Sequence, residues 1–368
     1  MTLPERQFFA LLRSGLWNEV PDPSLFTGGA DWNVIYRIAF EQTVVGHITD
    51  GINRLPQDLM PPVEALDPFL GDVLATEKRN HQLDHFIPKL VEALEGIPVL
   101  LIKGQGIALD YLEPARRQPG DIDLLLMPES YPEARRILLG RATQALEEAP
   151  AICHQGMMFH SIEVELHGTI STLMSRRLDR KLADLQADLF RRGRFLRVPL
   201  GGKDIPVPDA DFNAVYIFVH FLHHYWSGGV GLRQIIDWMT YVSVHKREID
   251  LVLLRGWIES LGLLHVWQVF SGFVMDYLGC PPEKLPFGAQ SRPSAEARLW
   301  REIRTSGNFG KNTCRSRGAE TWLVRKSRSF WRNVVQDRLR HFRVFPRESV
   351  RFFFGAFGYG LERLSKGE

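Results

Sequence analysis

Apolar positions three and four apart dominate residues 5–95. "ERQFFALLRSGL" and "DWNVIYRIAFEQTVVGHITDGI" carry this spacing, which gathers apolar side chains on one side of a helix. Prolines in "LPQDLMPPVEALDPF" break the pattern, and "DVLATEKRNHQLDHFIPKLVEALEG" resumes it, with Gly96 as the stop. The texture then changes. "IPVLLIK" and "DIDLLLM" are short apolar runs and read as buried strands. Between them, "GIALDYL" makes a helical turn or two, and "EPARRQPG" is a loop punctuated by Pro114, Pro119 and Gly120. "SYPEARRILLGRATQALEE" reads as one helix and "MMFHSIEVELHG" as alternating strand; "FLRVPL" and "KDIPVPD" read as a hairpin turning at Gly201-Gly202. Helices return with "DADFNAVYIFVHFLHHYW", capped by Asp209 or Asp211, and continue through "GLRQIIDWMTYVSVH" and the apolar run after it.

The layout predicts an α+β fold: a small mixed sheet with flanking helices, plus N-terminal and C-terminal helical regions. The expected units are a helical region over 1–84, a core over 85–207, and a helical domain over 208–368 that ends in a basic, aromatic tail.

Two acids open the second strand. Asp121 and Asp123 are two apart and project on one face, with Ile122 and Leu124 on the other. Like charges side by side repel unless a cation lies between them. In "SIEVELHG", Glu163, Glu165 and His167 share a face by the same period. A strand neighbouring Asp121 and Asp123 and carrying one of these glutamates would complete an oxygen cage. Such a cage suits Mg²⁺ or Mn²⁺ better than Zn²⁺.

Gly104-Gln-Gly106 after an apolar run also suggests a dinucleotide-binding turn. Leu109 stands where the third small residue belongs, and the acids precede their apolar run instead of following it. Both points argue against that reading. In the alternative, Lys103 and Gly104 form a tight turn whose amides, with those of the following helix, face a phosphate. Lys103 or Arg117 then neutralises phosphate charge.

"VLLIKGQGIALDYLEPARRQPGDIDLLL" resembles the uncharacterised nucleotidyltransferase family of the DNA polymerase β-type superfamily. The likeness rests on Ile102-Lys103-Gly104, Arg117, Gly120-Asp121-Ile122-Asp123 and Glu165-Leu166-His167. It extends to "HFLHHYWSGGVGLRQIIDW" and "FRVFPRESV", and so over about residues 80 to 350. The resemblance implies a nucleotidyltransferase-type sheet and transfer of a nucleoside monophosphate from an NTP, with ATP first among the candidates. The acceptor is left open among small molecule, glycan precursor and protein. Asp121 and Asp123 would hold the nucleotide-side metal, and Glu165, which directly precedes Leu-His, would complete the site ahead of Glu163. The superfamily commonly has Gly-Ser or Gly-Gly in the first turn, so Lys103-Gly104 fits the narrower family alone. The competing functions are a non-catalytic nucleotide-binding adaptor on the same fold and a metallohydrolase built on His220 and His224.

His220 and His224 are four apart on one helix, without the HExxH glutamate of zinc proteases. They read as packed histidines, as pocket lining, or as a zinc pair. Arg233 and Asp237 are one turn apart and are expected to pair with each other, with a phosphate as the other partner for Arg233.

At 45% hydrophobic and 24% charged, the composition is that of a globular protein. Three dispersed cysteines, Cys153, Cys280 and Cys314, point to a reducing compartment. The N-terminus lacks the pattern of a secretory signal, and no run reaches the roughly 18 apolar residues of a membrane span. A cytoplasmic location is expected. Net charge is +2, but twelve Lys/Arg against three acids make residues 311–351 about +9. This tail reads as a packed helix, a membrane-surface or acidic-partner contact, or, last, a nucleic-acid contact.

Overall fold

The fold is given by a computed structural model in which residues 1–289, 291–307 and 341–365 are described. Helices α1 (Leu3–Trp17), α2 (Trp32–Glu41), α3 (Val45–Ile52) and α4 (Val63–Ala93) form the N-terminal region. α1 opens on a capping box: Glu5 N donates to Thr2 Oγ1 while Thr2 N donates to the Glu5 carboxylate. α1 and α3 cross so closely that a Cβ on Gly15 or Gly51 would overlap the carbonyls of His47 and Leu11. α4 absorbs Pro68 and Pro88, each giving up one backbone donor, and runs unbroken across the boundary read at 84/85.

Next come β1 (Leu100–Ile102), α5 (Gln105–Ala108), β2 (Ile122–Leu125), α6 (Tyr131–Leu139), β3 (Gln144–Ala149), β4 (His154–Phe159) and β5 (Ile162–His167). The sheet order is β1-β2-β5-β4-β3, with β2 and β5 parallel and the other pairs antiparallel. The single helix expected over "SYPEARRILLGRATQALEE" is therefore corrected. It stops at Leu139, and Gln144–Ala149 becomes a sheet strand whose side chains are exposed or half-buried. Pairing with β4 overrides the helical propensity of Gln, Ala, Leu and Glu.

α7 (Arg176–Arg192), over a stretch where no element was expected, leads to the hairpin of β6 (Phe195–Leu200) and β7 (Lys203–Pro208). Gly201 and Gly202 supply the two positive φ angles, 54° and 80°, of its two-residue turn. α8 (Ala210–Ser227) is capped by Asp209 Oδ1, which accepts from Phe212 N at 2.9 Å. α9 (Leu232–Val244), α10 (Leu251–Leu261), α11 (Leu264–Leu278), α12 (Pro293–Ser306) and a C-terminal helix, Pro346–Ser365, follow.

The pleat divides the sheet between two cores. Leu101, Ile122, Leu124, Val164 and Leu166 pack with Leu83 and Ile87 of α4 and Leu138 of α6. Leu100, Ile102 and Leu125 join the other core, which unites Phe8 of α1 with Phe218, Trp226 and Trp238 of α8 and α9. Asp123, Glu165 and His167 alternate with the first group, so they lie on the side where the sheet meets the helical body.

Among the described residues no single helix is long and apolar enough to cross a membrane. Cys153 and Cys280 are free thiols. Cys314 and residues 311–340 of the basic tail lie outside the described residues.

Candidate active site

β1 leads directly into the site. Lys103 and Gly104 both take positive φ, 56° and 48°, and turn the chain sharply. Glycine at 104 suits its unusual pair of angles, φ 48° and ψ −124°. Lys103 Nζ reaches back to Asp123 Oδ1 at 2.8 Å and lies 3.1 Å from His220 Nε2. Burial disfavours the Lys103 charge, but Asp123, Asp121 and Glu165 outweigh it and hold the ammonium protonated. The helix after the turn is a single turn long, so it contributes little of the dipole expected at a phosphate-facing terminus. β1 and β2 are antiparallel, which removes the parallel crossover that a dinucleotide turn requires.

The acids converge across the one parallel pairing. Asp123 sits opposite Glu165 in register, and Asp121 precedes β2. Carboxylate oxygens of Asp121, Asp123 and Glu165 all lie within 4.8 Å of one another. Asp123 is buried, whereas Asp121 and Glu165 are half-buried. Glu163 is exposed and outside this group.

The outer two carboxyls of the cluster are shifted in opposite directions. The charge of Asp123, helped by burial, pushes the Asp121 carboxyl up to about 6. Burial would also raise Glu165, but hydrogen bonds from His154 and His167 and the nearby positive charges hold it well below the usual range. His167 Nε2 lies 2.9 Å from Asp123 Oδ1 and 3.4 Å from Glu165 Oε2. Burial opposes the imidazolium, yet these two carboxylates bring His167 up to about 9. The three acids thus face cations of the chain itself, Lys103 and His167 among them.

His154 escaped the sequence reading. Its Nε2 lies 3.4 Å from Glu165 Oε2. Hairpin symmetry carries the signal: His154 and His167 are equally far from the Phe159–Ile162 pair and stand opposite each other in register.

The arginines are placed differently from expectation. Arg117 is buried, and its guanidinium forks onto Asp237, with Nε to Oδ1 at 2.7 Å and Nη2 to Oδ2 at 2.8 Å. The Tyr111 hydroxyl donates to the same carboxylate at 2.5 Å. Asp237 therefore pairs with Arg117 and not, as the one-turn spacing suggested, with Arg233. A planar fork from the loop before β2 to α9 satisfies both carboxylate oxygens at once. Arg233 instead donates to the Gln118 carbonyl at 2.8 Å and borders Gly120. Its Nε has no hydrogen-bond partner among the described residues. Its charge also acts on Asp121.

His220 and His224 face each other, with Nε2 atoms 3.0 Å apart. Burial, then the positive charge of Lys103 for His220 and of His223 for His224, holds both imidazoles well below their usual pKa. Neither belongs to the groups of three or more metal-competent side chains among the described residues. They form the wall of the site behind Lys103.

A family model described as uncharacterised nucleotidyltransferase matches residues 28–271. No curated protein and no solved structure matches the chain.

Proposed function

Because the chain belongs to the uncharacterised nucleotidyltransferase family, we propose that it transfers a nucleoside monophosphate from an NTP to an acceptor hydroxyl or similar group, with a divalent cation held by Asp121, Asp123 and Glu165. The observation that carries the reading is the convergence of these three carboxylates within 4.8 Å on neighbouring strands.

The donor set fits a hard cation. All three groups offer oxygen, which suits Mg²⁺ or Mn²⁺. The repulsion that raises Asp121 is the kind a bound cation relieves. When bound, such an ion would supply charge neutralisation at phosphate oxygens and a more acidic attacking hydroxyl.

The chain's own residues do the rest. Lys103 keeps its ammonium among the acids and offers positive charge beside the nucleotide's phosphates. Arg233, next to Gly120 and with an unpartnered Nε, is the second cation within reach of that anion. Arg117 locks the Asp121 loop to α9 through Asp237, and so positions the acids without touching the phosphates. Neutral His220 can accept a hydrogen bond from the Lys103 ammonium at 3.1 Å and so helps keep it aimed at Asp123, with His224 Nε2 3.0 Å behind it.

The test is label transfer. Wild-type protein is incubated with each common α-labelled NTP, Mg²⁺ or Mn²⁺ and a native cell extract. Label should enter an acceptor, and chelator or the Asp121→Asn/Asp123→Asn double variant should abolish it. Equal transfer by the double variant would remove the assignment.

A further inference from the structure

Glu165 belongs to two clusters, not one. Besides the carboxylate group, His154, Glu165 and His167 bring one ligand atom each within 4.8 Å of the others. We propose that these three side chains form a second cation site, of nitrogen-rich character, that takes a transition ion such as Zn²⁺ and shares Glu165 with the carboxylate site.

Strand geometry builds it. His154 and His167 are directly opposed on β4 and β5, and Glu165 precedes His167 by two, so all three project from one face. Glu165 Oε2 lies 3.4 Å from each histidine Nε2. That spacing is about the ligand–ligand edge of a tetrahedron with bonds near 2.0–2.1 Å. The two rings are tilted by 51° with centroids 4.8 Å apart, so they do not stack flat against each other. Asp123 Oδ1, 2.9 Å from His167 Nε2, stands next to the group as a fourth donor.

Accessibility agrees with an ion arriving from solution. The side chains of His154, Glu165 and His167 are 24%, 26% and 17% exposed, against 1% for Asp123. Two imidazoles and a carboxylate favour borderline ions over Mg²⁺, while the all-oxygen group next to it favours Mg²⁺ or Mn²⁺. Adjacent sites of different preference make a mixed centre bridged by Glu165. Without an ion, His167 is the protonated partner of Asp123 and Glu165, and a bound ion would displace that proton. The competing arrangement is this plain ion pair, with His154 and His167 donating to Glu165 and no ion between them.

The proposal goes beyond nucleotidyl transfer and does not depend on it, since a chain without transfer activity would still bind the ion. Full-length protein is stripped with chelator and dialysed against micromolar Zn²⁺ in excess Mg²⁺. Wild type should retain one equivalent of zinc, and X-ray absorption at the zinc edge should show imidazole scattering. His154→Gln should weaken zinc retention by at least about tenfold, the lower end of what losing even a supporting group costs a metal site. Asp121→Asn should retain the zinc, which separates this site from the carboxylate group. Three results would overturn the proposal: no zinc held by wild type, zinc without imidazole scattering, or equal retention by His154→Gln. The absorption measurement uses wild type alone and stands even if a variant fails to fold.

Discussion

Asp123 and Glu165 face each other in register across the one parallel strand pair found among the described residues. A parallel neighbour brings the two acids side by side from segments separated by the whole of α6 and the β3–β4 hairpin. Removing one of them should therefore cost activity without costing the fold. Asp123→Asn is nearly isosteric and should lower NTP-dependent transfer by roughly 10³-fold, as expected for losing several kcal/mol of metal-supported stabilisation. Steady-state kinetics beside circular dichroism would check both halves.

Arg117 is one half of a buried ion pair. Its fork onto Asp237 is buried at both ends. Arg117→Ala leaves the Asp237 carboxylate buried and unpaired, which should destabilise the protein by about 3–5 kcal/mol. Denaturant unfolding measures this. Unchanged stability with lost NTP affinity would instead make Arg117 a phosphate ligand.

α1 and α3 owe their close crossing to missing side chains. A methyl at Gly15 has no space beside the His47 carbonyl. Gly15→Ala should cost about 1–3 kcal/mol through overpacking, despite alanine's better helix propensity. Calorimetry should show a lower Tm. An unchanged or higher Tm would contradict the crossing.

His245 ties α9 to the segment after α5, with Nε2 2.9 Å from Asp110 and Nδ1 2.9 Å from Glu248. Burial opposes its charge, but these partners raise it to about 9. A raised folded pKa adds stability that is fully present below the unfolded value of about 6.5 and is lost as pH climbs through the folded value. The stability difference between wild type and His245→Gln should thus be largest near pH 6 and shrink toward pH 9.5. Urea titrations across that range test the sign.

Much of this was legible from local pattern. The order of acids and apolar residues in "DIDLLL" placed Asp121 and Asp123 at the start of their strand, where they are found. Period two put Glu165 and His167 on one face, and the Gly201-Gly202 turn was plain from composition. What local pattern could not carry was partner choice. Gln144–Ala149 has helical residues and is a strand only because β4 lies beside it. Arg117 and Asp237 are 120 residues apart, so sequence spacing favoured the nearer Arg233. His154 needed the register of the hairpin, which follows from Phe159 pairing with Ile162.

In the proposed reaction the α-phosphoryl group moves to the acceptor and pyrophosphate leaves. The direct measurement gives parallel reactions an NTP labelled at the α or the γ phosphate, with wild type and with Glu165→Gln. α-Label is expected in the acceptor, γ-label only in released pyrophosphate, and neither with Glu165→Gln. γ-Label in the acceptor, or undiminished transfer by Glu165→Gln, would contradict the proposed reaction.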